Sequence, residues 1–407
     1  MPTTTPDHPG GPTPGARRWT RPWRDLVDDP RVVGLIAVAA AVVVAALRIA
    51  VVGHGDIGTF VVAGSRFAGT HLRVPVIAGN GYDGQFYYRL ALGPLDLAPH
   101  AFGIHLDSPA RVERITYPAL GWALAGGRAG LVPWSLATVN VVGLGVLGWL
   151  GGMLARDGGR RALWGLLIPG YFGFVWTLSR DLTEITEAAL LVGGLLAVRR
   201  GRPVVAAVAL AGAVLARETA LVVVACLAVV QLAQWWSRRR GREDTGRPRV
   251  RAMTWGVPLT AFVVWQAVAG SAVGQLPLTA SSRHNVGLPF AGVVRGVHHY
   301  ASLFPSHASE LWFAEIVVLG VVVASAARRV RSSVAPAHER IAWAAYGVMT
   351  VCLSPGIWLG DVGFRGLDDL YVLSCLVLLA SSRRARWVAP LVAISWVVVA
   401  VQLIIVI

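Results

Sequence analysis

Residues 32 to 53 read VVGLIAVAAAVVVAALRIAVVG, an apolar run broken by a single charge at Arg48. A helix of this length rises about 30 Å, so it can cross the hydrocarbon layer of a bilayer with its backbone hydrogen bonds satisfied internally. The whole chain of 407 residues shares this character, with 55% hydrophobic residues, 14% charged residues and a mean hydropathy of +0.58. Such a composition needs lipid to cover its apolar surface, which indicates an integral membrane protein.

About eleven runs of this kind predict an all-α, polytopic transmembrane helical bundle. A single membrane domain is expected to occupy residues 32–407, after a basic, partly disordered N-terminal segment at 1–31. Three amphipathic stretches, 59–67, 85–92 and 118–125, are too short to span and predict short interfacial helices. The predicted spans are residues 32–53, 132–154, 162–178, 182–198, 203–216, 219–236, 253–272, 311–327, 341–357, 368–381 and 388–406.

The arginines between the spans predict the orientation of the chain. They form six clusters on alternate connections, and the positive-inside rule places all six in the cytoplasm. The N-terminus is then cytoplasmic and the C-terminus extracytoplasmic, in a cell membrane (plasma or inner). Topology also accounts for the net charge of +15, so no nucleic-acid partner is expected. The clusters lie at residues 17–31, 156–161, 199–202, 238–251, 328–340 and 383–386.

Two long loops, at residues 54–131 and 271–310, are predicted to face outward. Most of the acidic residues fall in these loops and in the short connections on the same side. Solvated loop charge explains part of that bias, whereas long loops are also where binding and catalysis concentrate. The chain contains no lysine, so any contact with a phosphate must use the guanidinium fork of arginine.

The first loop contains the segment NGYDGQFYYR at residues 80–89. Asp83 lies between glycines at the start of a short predicted helix, where the helix N-terminus stabilises a negative charge. One interpretation is that Asp83 is an N-cap. The other is a general base, because an amide and aromatic rings are suited to binding sugar hydroxyls and ring faces. The candidate substrate contacts are Tyr82, Gln85, Tyr87 and Tyr88.

Four further segments carry candidate site residues. Between the third and fourth predicted spans lie Arg180, Asp181 and Glu184, and charges there are costly unless they are used or solvated. Arg217 and Glu218 interrupt an apolar run, where they either belong to a functional site or simply mark the turn of a helical hairpin. The other candidates are Tyr117 in RITYPALGW at 114–122, Arg283 and His284 in the second loop, and Arg365 in GDVGFR at 360–365.

In arrangement, these segments resemble the GT-C superfamily of membrane glycosyltransferases that use polyprenyl-phosphate sugars, and especially its mannosyltransferase-like branch. The resemblance covers residues 32 to 220 in order, with Arg365 as an isolated later match. It implies a GT-C-like bundle and transfer of a sugar from a polyprenyl-phosphate donor to a hydroxyl of a glycan or lipid acceptor at the extracytoplasmic face. It also implies Asp83 as general base, Asp181 as second catalytic acid, and arginines on the donor phosphate.

The chain departs from that superfamily in two respects, the acidic pair missing at Asp83 and the absence of the lysine that some members place beside their Pro-containing motif. Two other functions also remain open. No Asp-x-Asp or Glu-x-Asp pair occurs at Asp83, so a divalent cation is possible but no metal ligand or other cofactor is predicted. One alternative is a transporter or flippase of a lipid-linked or envelope precursor, although transporters concentrate ionisable residues near mid-membrane and these spans carry few. The other is a non-catalytic envelope-assembly protein. Membrane lipid is a partner in every case.

Overall fold

The structure is a computed structural model that describes residues 28–69, 72–241, 250–360, 364–382 and 386–405. These residues are mostly helical, as predicted, and an all-α class fits the fold. Most of the N-terminal segment predicted at 1–31 lies outside the described residues. The strands of the described part are two-residue pairs: β1 (Ala63–Gly64) is parallel to β2 (Val76–Ile77), and β3 (His100–Ala101) is antiparallel to β4 (Ile104–His105).

Helices make up most of the described chain outside the two long loops. In the described part the α-helices are α1 (Pro30–Val51), α2 (Gly84–Leu92), α3 (Thr116–Leu124), α4 (Val132–Asp157), α5 (Phe172–Ser179), α6 (Glu184–Arg199), α7 (Pro203–Ala216), α8 (Leu221–Arg239), α9 (Met253–Val273), α10 (Pro277–Asn285), α11 (Ala291–Ser302), α12 (His307–Ala327), α13 (Ala337–Val351), α14 (Pro355–Trp358), α15 (Asp368–Leu379) and α16 (Val388–Ile405).

Five helical stretches in the described residues are long and apolar enough to cross a membrane, which indicates a membrane protein. The remaining predicted spans coincide with shorter or interrupted helices. The run at 162–178, for example, divides into a 3₁₀ helix (Ala162–Leu167) and α5 around Pro169, because proline cannot donate a backbone hydrogen bond. The five stretches are Pro30–Val51, Ala129–Asp157, Glu218–Arg239, Met253–Val273 and His307–Ala327.

The bundle is packed closely through small residues and buries two helices that begin with acidic residues. A Cβ atom on Gly34 of α1 would lie 2.8 Å from the carbonyl oxygen of Gly145 in α4, so these helices contact backbone to backbone. Most residues of α6 and all of those in α15 are buried, and both helices begin with acidic residues. The start of each helix therefore places carboxylates inside the protein.

The first long loop folds as a cap with its own apolar core. Phe86, Tyr88 and Ile104 are buried in this core. Two of the three short helices predicted here are present, as α2 and α3. The third, predicted at 59–67, is wrong: the chain forms a 3₁₀ helix (Ile57–Phe60) and then β1, because Val62 has φ +50° and cannot continue a right-handed helix.

Contacts at the two ends of the bundle agree with the alternation predicted from the arginines. At one end of the bundle, which carries Arg160 and Arg199 and is here called the arginine end, Arg199 of α6 pairs with Glu339 of α13 through two hydrogen bonds, one of them 2.6 Å long. At the same end, Arg160 donates to the carbonyl oxygens of Leu379 and Ser381. The opposite end carries both long loops and is called the loop end.

Candidate functional site

Asp83 is held by two arginines at the loop end of the bundle. It immediately precedes α2, but its side chain makes no capping hydrogen bond. Instead its Oδ1 lies 2.9 Å from Nη1 of Arg111, and its Oδ2 pairs with Nη2 of Arg365. These two guanidinium groups hold the pKa of the Asp83 carboxyl well below its usual range, although burial alone would raise it. Asp83 is therefore an ionised, doubly paired carboxylate rather than a cap.

Glycines allow the chain around Asp83 to pass close to other backbone. Gly81 has φ +62°, which favours glycine, and a Cβ atom there would lie 2.3 Å from the amide nitrogen of Gly64. A Cβ atom on Gly84 would lie 2.2 Å from the carbonyl oxygen of Arg180. The two glycines thus fix Asp83 against β1 and against the connection between α5 and α6.

We expect Gly84→Ala to displace the Asp83 segment and to destabilise the protein by about 1–3 kcal/mol, the usual range for overpacking a tight contact. Thermal unfolding in detergent measures the effect. The matched control is Gly130→Ala, at a position in the same loop where an added Cβ meets nothing within 4 Å. Equal melting temperatures for the two variants would show that the close approach at Gly84 does not contribute to the stability of the protein.

Arg365 joins Asp83 to a second carboxylate and to an aromatic ring. Its Nη1 lies 3.3 Å from Oε1 of Glu184, at the start of α6. Its guanidinium lies 4.9 Å from the ring centre of Tyr82, and the guanidinium of Arg180 lies 5.4 Å from the same ring. Cation–π contacts of this kind orient both arginines around Tyr82. The predicted residues Asp83, Tyr82, Arg180, Glu184 and Arg365 are thus brought together.

A second group of contacts adjoins the first. Arg114 makes a two-pronged ion pair with Glu218, with nitrogen–oxygen distances of 3.0 and 2.8 Å. Its third nitrogen, Nη1, donates to the hydroxyl of Tyr87 at 3.2 Å. Arg111 makes an equivalent two-pronged pair with Asp107, at 2.7 and 2.8 Å. Glu218 and Tyr87, both predicted site residues, therefore lie in one charged network with Asp83.

A polar cavity of about 320 Å³ opens beside this network, between the two long loops. The turn that carries Arg111 is tied to α9, since Nε1 of Trp265 donates to the Val112 carbonyl (3.0 Å) and Gln266 donates to Glu113 (2.7 Å). Guanidinium groups and a tyrosine hydroxyl suit an anionic, hydroxyl-bearing ligand. The lining residues are Tyr87, Asp107, Ser108, Ala110, Arg111, Glu113, Arg114, Ala280 and Asn285.

Removal of one arginine is expected to change how Asp83 titrates. Loss of Arg111 in Arg111→Gln leaves Asp83 with only one direct ion pair, so its pKa rises toward the ordinary value. Asp83 then takes up a proton at higher pH, and the acid limb of any activity that requires its ionised form moves up by about one pH unit. The pH profile of kcat/KM measures this. Arg128→Gln, at an exposed arginine in the same loop, is the control and should leave the profile unchanged.

Gln85 and Tyr88 stabilise the first long loop and do not line the polar cavity. Gln85 accepts a hydrogen bond from the Gly64 amide (3.0 Å) and donates to the Asn80 carbonyl (2.8 Å), so both ends of its amide hold the backbone. Tyr88 is buried in the core of the cap. The sequence predicted both as substrate contacts, and neither lines the polar cavity.

Asp181 lies in a separate buried position, next to Tyr117. The Tyr117 hydroxyl donates to the Leu136 carbonyl (3.1 Å) and accepts from Nδ2 of Asn140 (3.0 Å). Asp181 is fully buried, and burial raises the pKa of its carboxyl well above the usual range in spite of nearby Arg48. Asp181 is thus a buried carboxyl group outside the charged network of Asp83.

Arg217 lies below the network and joins it to a group of buried acids. It pairs with Asp368 at the start of α15. Gly366, next to Arg365, lies against the Arg217 guanidinium, since a Cβ atom there would be 3.4 Å from Nη2. Arg217 therefore contacts the segment that presents Arg365. The predicted residues Arg283 and His284 belong to α10, and their side chains lie outside the described part of the structure.

Sequence reasoning missed Arg111 and Arg114, the two arginines that line the cavity. They lie three residues apart in the segment ending at 114, within the loop that also holds Asp83. An arginine pair with this spacing, in a loop predicted to lie on the side away from the arginine clusters, is a signal that could have been used. A larger apolar cavity of about 540 Å³ lies elsewhere, lined by residues such as Ile36, Trp164 and Val392, and shares no lining residue with the polar one.

Comparisons with protein-family models, with curated proteins and with solved structures find no significant match for this chain.

Proposed function

We propose that the chain is an integral-membrane glycosyltransferase of the GT-C type, a hexosyl- or pentosyltransferase that uses a polyprenyl-phosphate sugar. The observation that carries the proposal is Asp83, held between Arg111 and Arg365 beside a polar cavity lined by Arg111, Arg114 and Tyr87. An acid that can accept a proton and arginines that can bind a phosphate are the two groups that such a transfer requires.

In the proposed reaction the donor phosphate binds Arg111 and Arg365 in place of Asp83. One oxygen of Asp83 is then free to accept the proton of an acceptor hydroxyl. The acceptor oxygen forms a bond to the anomeric carbon, the bond from that carbon to the phosphate oxygen breaks, and the polyprenyl phosphate leaves with the electron pair. The arginines offset the charge that develops on the leaving phosphate. Tyr82 and Tyr87 offer a ring face and a hydroxyl to the sugar.

The same proposal includes the membrane arrangement. An eleven-span bundle is supported by the helices that coincide with every predicted span, since a short or interrupted helix buried among others need not meet lipid along its whole length. The arginine clusters favour a cytoplasmic arginine end and an extracytoplasmic loop end in a cell membrane. The candidate site then faces a polyprenyl-phosphate sugar and a glycan or lipid acceptor at the outer face.

Purified protein in proteoliposomes, supplied with radiolabelled polyprenyl-phosphate sugars and a total lipid and glycan extract as acceptor, tests the proposal. Transfer of label to an acceptor, with release of polyprenyl phosphate, is the expected result. A comparison of lipid-linked and envelope glycans in cells with and without the gene identifies the donor and acceptor. Unchanged glycans together with no transfer from any donor would reject the proposal.

One observation favours a transporter as the second candidate. Glu187, Asp369 and Glu315 are buried carboxyl groups in bundle helices, and transporters use such groups along ion or proton pathways. A transporter moves a labelled lipid-linked precursor across a sealed proteoliposome without changing its chemistry. Analysis of the same vesicles for both translocated precursor and transferred sugar distinguishes the two functions.

A further inference from the structure

Three carboxylates converge inside the bundle, below the candidate site. Glu187 lies on α6, and Asp368 and Asp369 are the first two residues of α15. One oxygen of each lies within 4.8 Å of the others, and all three residues are buried. We call these residues the acid triad. None of them touches the polar cavity, so the function proposed above leaves the triad without a role.

The charges in the triad do not balance. Arg217 pairs with Asp368, so three carboxylates face one guanidinium, and full ionisation would leave two net negative charges inside the protein. Buried charges are tolerated only when they are paired, protonated or bound to a metal. The triad therefore requires additional positive charge.

The surroundings of the Glu187 side chain indicate what supplies this positive charge. It is fully buried, and neither of its oxygens accepts a hydrogen bond from any donor among the described residues. The group that faces it is the carboxyl of Asp369, within hydrogen-bonding reach, and two carboxyl groups form such a bond only when one of them carries a proton. The hydroxyls of Thr219 and Tyr346 also lie within hydrogen-bonding reach of Asp369. A fully buried carboxylate without a donor, aimed at two other carboxylates, is the arrangement of a set of cation ligands.

We propose that the acid triad binds one divalent cation of the hard class, such as Ca²⁺ or Mn²⁺. Carboxylate and hydroxyl oxygens are the ligands that these ions prefer. Ca²⁺–oxygen distances of 2.3–2.6 Å place opposite ligands about 4.6–5.2 Å apart, so a separation of up to 4.8 Å already suits such an ion. A charge of +2 also cancels the two negative charges, whereas Na⁺ would leave one.

The cation has a positioning role. Asp368 directly follows the 3₁₀ turn Arg365–Leu367, and Glu187 lies one helical turn after Glu184, so the ion joins the two segments that meet at Arg365. It fixes the start of α15 on α6, and with it the arginine that pairs with Asp83. The ion lies apart from the reacting atoms and does not contact the substrate.

The test uses the full-length protein in detergent or nanodiscs, first stripped with EDTA. Titration with Mn²⁺, followed by electron paramagnetic resonance and competed with Ca²⁺, should show one bound ion per chain. Saturating Ca²⁺ should also raise the melting temperature by several degrees, because an ion that binds only the folded state stabilises it. These arms need no variant and no sugar substrate, so their outcome is independent of the proposed glycosyltransferase activity.

Glu187→Gln keeps the shape of the side chain and removes one charged ligand, so the affinity for Mn²⁺ should fall at least about tenfold. The matched control is Glu315→Gln, at a buried carboxyl group that accepts a hydrogen bond from Trp176 outside the triad; it should bind as the wild type does. The proposal is overturned by wild-type protein with no saturable ion and a melting temperature that responds to pH alone, the signature of a shared proton. Equal loss of affinity in both variants would overturn it as well.

Discussion

Asp83→Asn is expected to reduce sugar transfer by about 10²- to 10⁴-fold, the range that general base catalysis contributes. The amide has the shape of the carboxyl group but cannot accept the proton of the acceptor hydroxyl. Its oxygen can still accept a hydrogen bond from one of the two arginines, Arg111 or Arg365, whereas its NH2 group cannot accept from the other. Transfer of labelled sugar in proteoliposomes measures the rate, and a melting curve checks that the protein is folded.

Asp181→Asn provides the comparison for this variant. Asp181 is buried next to Tyr117, and burial raises the pKa of its carboxyl, which favours the uncharged form that an amide resembles. We expect transfer to continue at close to the wild-type rate. If Asp83→Asn retains full transfer, Asp83 is not the base. If both variants lose transfer while folded, the second catalytic acid implied by the sequence is real, and it acts from its buried position.

Arg217→Ala is expected to destabilise the protein by about 3–5 kcal/mol, the range observed when one partner of a buried ion pair is removed. Arg217 and Asp368 are both buried, and Arg217 is the guanidinium paired with the acid triad. Without it the three carboxylates repel one another inside the bundle. Reversible unfolding in mixed detergent, followed by tryptophan fluorescence, gives the change in the free energy of unfolding.

Arg200→Ala is the control for that measurement. Arg200 pairs with Asp157 at 3.6 Å at the arginine end, and both side chains are about half exposed. Exposed pairs contribute about 0–1 kcal/mol, so this variant should unfold nearly as the wild type does. A loss for Arg217→Ala no larger than the loss for Arg200→Ala would mean that the acid triad is protonated and carries no net charge.

Much of the bundle could be predicted because a membrane helix is defined by a local property, the length of an apolar run. The predicted spans at 32–53, 132–154 and 253–272 agree with α1, α4 and α9 within about three residues at each end. The segment at 59–67 failed for a non-local reason. Its backbone is set by the close approach of Gly64 to Gly81, which an amphipathic pattern does not reveal.

The candidate site was predicted in its acids and aromatic residues but not in its pairings. Asp83 and Arg365 are 282 residues apart and Arg114 and Glu218 are 104 apart, so only tertiary packing joins them. The same packing turned Gln85 inward to the backbone, although its amide beside tyrosines was typical of a sugar contact. The type of a residue indicates which chemistry it can perform, whereas the direction of its side chain depends on neighbours distant in the chain.

The ion pairs of Asp83 also connect the cap to the bundle. Arg111 belongs to the first long loop and Arg365 to the connection before α15, and the Asp83 carboxylate pairs with both arginines. An anion that binds these arginines must compete with Asp83, so anion binding and release of the Asp83 carboxylate are linked reciprocally. An anion bound to both arginines would itself join the first long loop to the bundle, so bound phosphate should free Asp83 while hydrogen exchange in the cap stays low.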